Sequence, residues 1–124
     1  MSTVQRVLMA SQGPKFSQLV QGYWRLAAWN MSPQERLTFL KQHVELGIST
    51  VDNAAIYGDS EQLFGEALAL DPAIREQIKT VSKFGINGTP DAIGEKRVSH
   101  CDSSCSFILS SSENSLKRFG VGQF

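Results

Sequence analysis

From the N-terminus, apolar positions first fall in short extended runs. "VQRVLMA" and "SQLVQGYW" flank "SQGPKF", whose Gly13-Pro14 pair breaks the pattern, so the first twenty residues predict a hairpin. Helical spacing begins at "MSPQERLTFLKQHVELG". Ser32 has the character of an N-cap, Pro33 suits the first helical position, and Glu35 completes a capping box. Leu37, Leu40 and Val44 then recur at helical intervals, with Phe39, His43 and Leu46 widening the stripe, and Gly47 supplies the stop.

Alternation returns at "ISTVDNAA", a β-branched stretch that predicts a strand with Thr50 and Asp52 on one face and Ser49, Val51 and Asn53 on the other. Asp59 or Ser60 caps a second helix carrying Leu63, Phe64, Ala67 and Leu68, which ends near Asp71-Pro72. "IKTVSK" reads as a further strand. Residues 18–83 therefore alternate strand, helix, strand, helix, strand, the order of parallel βαβ units in an α/β fold. Residues 84–98, rich in Gly, Pro, Asn and charge, predict a long loop. "CSFILSSSENSLKRF" predicts a third helix whose stripe of Phe107, Ile108, Ser111 and Leu116 is interrupted by serines.

Composition narrows the classes of function. The chain has 124 residues with 12 basic and 12 acidic side chains, so binding to a phosphate backbone has no electrostatic drive and nucleic acid is not an expected partner. No apolar run approaches the ~18 residues of a membrane span, and the N-terminus lacks the apolar core of a secretory signal. The expectation is a cytoplasmic protein with no membrane partner. Cys101 and Cys105 flank Asp102 beside His100, but their spacing fits no strong zinc pattern, so reduced thiols and no metal are expected.

In parallel α/β folds, functional groups gather at the C-terminal ends of strands, where the loops converge. Asp52 ends the second strand of the alternation, Tyr57 lies in the loop after it, and Lys83 ends the next strand. A carboxylate, a phenol and an ammonium brought together there form a proton-donating device: the ammonium stabilises phenolate, and the carboxylate keeps the ammonium charged and oriented. Spacing alone favours a structural ion pair beside a packing tyrosine.

The words around these residues carry more. "QLVQGYWRLA", "GISTVDNAAIYGDSEQLFGEAL", "VSKFGI" and "ENSLKRFG" resemble the aldo-keto reductase superfamily over nearly the whole chain, most closely its bacterial branch. The resemblance implies a (β/α)8 TIM-type barrel that reduces a small-molecule aldehyde or ketone with NADPH. It also implies roles: Tyr57 as proton donor, Lys83 tuning it, and Asp52 paired with Lys83. Gly22, Tyr23 and Trp24 match positions near the nicotinamide, and Asp52 lies by its ribose. Trp24 and Trp29 would border the carbonyl pocket, although Trp24 reads equally as ordinary aromatic packing and Trp29 reads more readily so.

Two departures qualify the match. The resemblance implies a histidine at the end of a fourth strand, whereas His43 falls within the first helix and His100 precedes the third. A closed barrel needs about 250 residues, and this chain supplies a hairpin region (1–17) and three βα units (18–124), truncated before strand four. The expectation is thus one partial domain, an N-terminal fragment inactive alone and prone to self-association through an open barrel edge. The rival reading, from another class, is a non-catalytic half-barrel serving as an association or scaffold piece.

Overall fold

The structure, a computed structural model, describes residues 4–90 and 97–122. An antiparallel hairpin opens it, formed by β1 (Arg6–Leu8) and β2 (Lys15–Ser17). The return strand ends at Ser17, earlier than the long run 17–24 suggested. The chain then turns, and β3 (Val20–Gly22) leaves to join a different sheet.

That sheet is parallel, with order β3-β4-β5, where β4 is Thr50–Asp52 and β5 is Lys79–Val81. The register sets Gly22 against Asp52 and Asp52 against Val81, so the three strands finish level with one another. Between β3 and β4 runs α1 (Pro33–Glu45), after a 3-10 turn at Leu26–Trp29; between β4 and β5 run α2 (Ser60–Leu70) and a 3-10 segment, Pro72–Gln77. Both crossovers carry a helix, as parallel pairing requires.

Local chemistry explains the helix boundaries. Ser32 accepts from the Glu35 amide while the Glu35 carboxylate accepts from the Ser32 amide, so the capping box forms in full, and Gly47 turns the chain away with φ of 88°. Leu37, Leu40 and His43 are buried as the stripe requires, but Leu46 is 56% exposed. It sits at the C-cap, where the chain is already leaving the helix and its side chain no longer lies over the core. Arg36 is buried instead, its guanidinium bonded to the Met31 and Leu63 carbonyls and 3.0 Å from the Glu66 carboxylate. That side chain clips α1 to α2.

The hairpin sits at the N-terminal end of the sheet. Ser17, buried, donates its amide to Thr50 Oγ1 at 2.9 Å, and its hydroxyl oxygen accepts from the amides of Ser49 and Thr50. The core lies between sheet and helices and includes Tyr23, Leu26, Leu40, Val51, Phe64 and Ile74.

The long loop predicted for residues 84–98 is overturned in part. β6 (Ile86–Pro90) and β7 (Arg97–Cys101) form an antiparallel hairpin, with Ile86 opposite Cys101 and Pro90 opposite Arg97. Cross-strand backbone hydrogen bonds need no apolar alternation, so Gly and Pro composition concealed them; Pro90 lies at the strand end, where a missing N–H costs least. α3 (Cys105–Phe119) follows with the predicted bounds, N-capped by Ser104 and ended by Gly120 at φ of 68°. It packs on α2 through Gly65, where an added Cβ would overlap the Arg118 carbonyl oxygen.

Candidate active site

Asp52 closes β4, and the chain beyond it stays tied to β5. The Asn53 amide donates to the Val81 carbonyl at 2.8 Å and the Ala55 amide to the Lys83 carbonyl at 3.2 Å. A tight turn follows, in which the Tyr57 amide donates to Ala54, Gly58 takes φ of 59°, and the Ser60 amide donates to Tyr57 as α2 begins. Tyr57 is thereby carried back over the sheet end. Lys83 stands two residues beyond β5 on the same side.

The three side chains predicted from sequence come together. Lys83 Nζ lies 2.6 Å from Asp52 Oδ1 and 2.7 Å from the Asn53 carbonyl oxygen, and 4.9 Å from the centroid of the Tyr57 ring. Burial draws the Lys83 pKa down, but the hydrogen bond to the Asp52 carboxylate and the proximity of the Tyr57 side chain outweigh it, and the net shift is upward. The ammonium is therefore firmly charged. Both partners of the ion pair keep about a third or more of their side chains in solvent, so it serves orientation more than stability.

The other predicted residues divide. Gly22 and Trp24 are exposed, and the Trp24 ring lies 6.5 Å from that of Tyr57, centroid to centroid, with Arg25 over its outer face. Tyr23, between them, does not bring its side chain to the site. It is 1% exposed, its ring packs against Phe39 and Phe64, and its hydroxyl lies 2.8 Å from His43 Nε2. Burial pushes its phenol well above the ordinary value. Trp29 packs on Tyr23 and Phe39, and these aromatic contacts belong to the α1 side of the sheet.

Sequence reasoning missed Glu61. Its carboxylate is buried at the start of α2, accepting from Ser82 Oγ on one oxygen and pairing with Arg118 at 2.8 Å on the other. The signal was present: Glu61, Phe64 and Leu68 fall at i, i+3 and i+7, which places the acid on the core face. Among the described residues, no group of three or more His, Cys, Asp or Glu is arranged to hold a metal ion, and no helix is long and apolar enough to cross a membrane.

Two cavities flank β5. The larger, about 370 Å³, opens at the N-terminal end of the sheet between Phe16, Leu68, Ile78 and Val121, far from the polar group. The smaller, about 260 Å³, is lined by Val81, Ser82, Lys83, Phe84, Ser112 and Ser115. Of these two, the smaller has Lys83 in its lining and the larger does not.

The described parallel sheet thus carries an acid, a phenol and an ammonium at its C-terminal edge. The chain belongs to the aldo/keto reductase family, whose model matches residues 18–124. It is 47% identical over 115 residues to oxidoreductase YdhF of Escherichia coli, and 42% identical over 115 residues to the oxidoreductase YcsN of Bacillus subtilis. In both cases 91% of this chain aligns with 38% of the relative's length. Among solved structures, the glycerol dehydrogenase AKR11B4 of Gluconobacter oxydans superposes with a TM-score of 0.69 at 25% identity, over 94% of this chain and 36% of that one. The chain therefore spans about two fifths of the relatives it matches, and its fold is part of the family's barrel.

Proposed function

We propose that Asp52, Tyr57 and Lys83 form the proton-donating group of an NADPH-dependent reduction of an aldehyde or ketone to an alcohol. The observation that supports this reading above all is the position of the Lys83 ammonium, held by Asp52 at 2.6 Å and facing the Tyr57 ring. Tyr57 gives its proton to the carbonyl oxygen. Lys83 stabilises the negative charge left on the phenol oxygen, and Asp52 holds the long lysine side chain in that direction.

The sheet end also suits a flat cofactor. A Cβ at Gly22 would meet no atom within 4 Å, so bare backbone faces the open side beside Asp52, and the Trp24 ring stands exposed next to Tyr57. Gly22, Trp24 and Asp52 would hold the nicotinamide and its ribose, and the cofactor, when bound, supplies hydride to the carbonyl carbon. Tyr23 reaches this group through its backbone at most, its amide donating to the Asp52 carbonyl at 2.9 Å.

A chimera tests the reading. Residues 18–124 spliced in place of the matching segment of the Escherichia coli relative should reduce aldehydes with NADPH. Tyr57→Phe should then lower kcat by roughly 10²–10⁴-fold, the usual contribution of a positioned proton donor. Undiminished turnover in that variant would remove Tyr57 from the reaction. The 124-residue chain in the same assay should turn over little, because a tuned proton donor does not replace the geometry that holds hydride donor and acceptor together.

A further inference from the structure

A buried carboxylate at the first turn of α2 needs a reason. Taking a carboxylate out of water is costly, and an apolar side chain in line with Phe64 and Leu68 would pack there without that cost. Glu61 nevertheless has both oxygens engaged in directional contacts. Oε2 meets Arg118 of α3 at 2.8 Å, and Oε1 accepts from the Ser82 hydroxyl. The Arg118 contact fastens two helices. The Ser82 contact reaches the strand end that carries Lys83.

Adjacent residues in extended chain point to opposite sides. Holding the Ser82 side chain toward α2 therefore obliges the next side chain to point the other way, toward Asp52 and Tyr57. β5 ends at Val81, and beyond it a single backbone hydrogen bond, from the Ala55 amide to the Lys83 carbonyl at 3.2 Å, still ties the segment to the chain after β4, so the Ser82 side chain supplies a further restraint on which way residues 82 and 83 face. Lysine is also a poor guide to its own direction, since four flexible bonds separate its charge from the backbone. We propose that Glu61 is a positioning residue for Lys83, acting through the hydroxyl of Ser82. The inference rests on the reading of Lys83 as part of the proton-donating group. Glu61 touches neither substrate nor cofactor; it fixes the face from which Lys83 acts.

NMR titration of the Lys83 side chain in the 124-residue chain tests this without any turnover. In the unsubstituted chain the midpoint should lie above the ordinary lysine value, as the contacts with Asp52 and Tyr57 require. Asp52→Asn should lower the midpoint, and if it does not, the underlying ion pair fails and the site reading fails with it. Ser82→Ala removes no charge, yet should move the midpoint toward the Asp52→Asn value, while Ser82→Thr, which keeps the hydroxyl, should restore it. A folded Ser82→Ala chain with an unmoved midpoint would overturn the inference and leave the site reading intact. If Ser82→Ala does not fold, Glu61→Gln decides: glutamine can still accept from Ser82 but cannot pair with Arg118, so the raised midpoint should persist. A fall to the Asp52→Asn value in that variant would show that only the Glu61–Arg118 pair matters, and would refute the role of Ser82.

Discussion

The His43 imidazole lies in the core, between the Tyr23 hydroxyl at 2.8 Å from Nε2 and the Ile48 carbonyl at 2.9 Å from Nδ1. A carbonyl oxygen can only accept, so Nδ1 carries the proton in the neutral ring and Nε2 accepts from Tyr23. Burial lowers the His43 pKa and outweighs the opposing bond to Ile48. A base whose folded pKa is depressed stabilises the fold above its unfolded value of about 6.5, and that contribution is lost as pH falls through the lower folded value, because the unfolded chain then binds the extra proton. Thermal unfolding should accordingly show a lower Tm at pH 5.5 than at pH 7.5. His43→Gln should flatten that difference, and an unchanged slope would assign it to another group. The alternation along Gly22, Tyr23 and Trp24 operates at the same scale: exposed, buried, exposed, as extended backbone dictates. Of these three consecutive residues, Gly22 leaves bare backbone at the sheet end, Trp24 presents an exposed ring there, and Tyr23 turns its side chain into the core.

Among the elements, α2 has the most constrained surroundings. One face meets α1 through Arg36 and Glu66, and another meets α3 so closely that Gly65 leaves no room for a side-chain atom. The obstruction is backbone, the Arg118 carbonyl, which cannot swing aside as a flexible side chain would. Gly65→Ala would gain helix propensity of about 1 kcal/mol in an isolated helix, but here it must push α3 outward. It should destabilise the chain by about 1–3 kcal/mol in urea unfolding, the usual cost of overpacking. A neutral or stabilising result would mean that α3 does not press on α2 in solution. The same contact gives α3 its place despite the serines at positions 110–112, since Ser115 and Phe119, four residues apart, supply the buried face.

At the scale of the molecule, the described sheet has three strands, with β3 and β5 at its edges. Exposed sheet edges carry unpaired N–H and C=O groups and recruit further strands. Apolar side chains lie near both: Val20 is 48% exposed on β3, and Phe84 and Ile86, just past β5, are 50% and 48% exposed. The 124-residue chain at micromolar concentration should therefore sediment as an oligomer, and Val20→Lys together with Phe84→Lys should shift it toward monomer. A single monomeric species in the unsubstituted chain would show that these edges are covered in solution.

Much of this protein was readable in its residues because the decisive interactions are local. The capping box of α1 spans four residues, the strand-helix alternation through residue 83 follows from periodicities of two and 3.6, and the Asp52, Tyr57 and Lys83 pattern lies in two short words at strand ends. What only the tertiary structure decided involves groups distant in sequence. The burial of Glu61 between Ser82 and Arg118, the removal of the Tyr23 side chain into the core, and the β6–β7 hairpin each depend on partners at least several residues away. Propensity and spacing record what a residue does to its own backbone; which side chain receives a hydrogen bond from across the fold is decided by packing, and no local pattern encodes it.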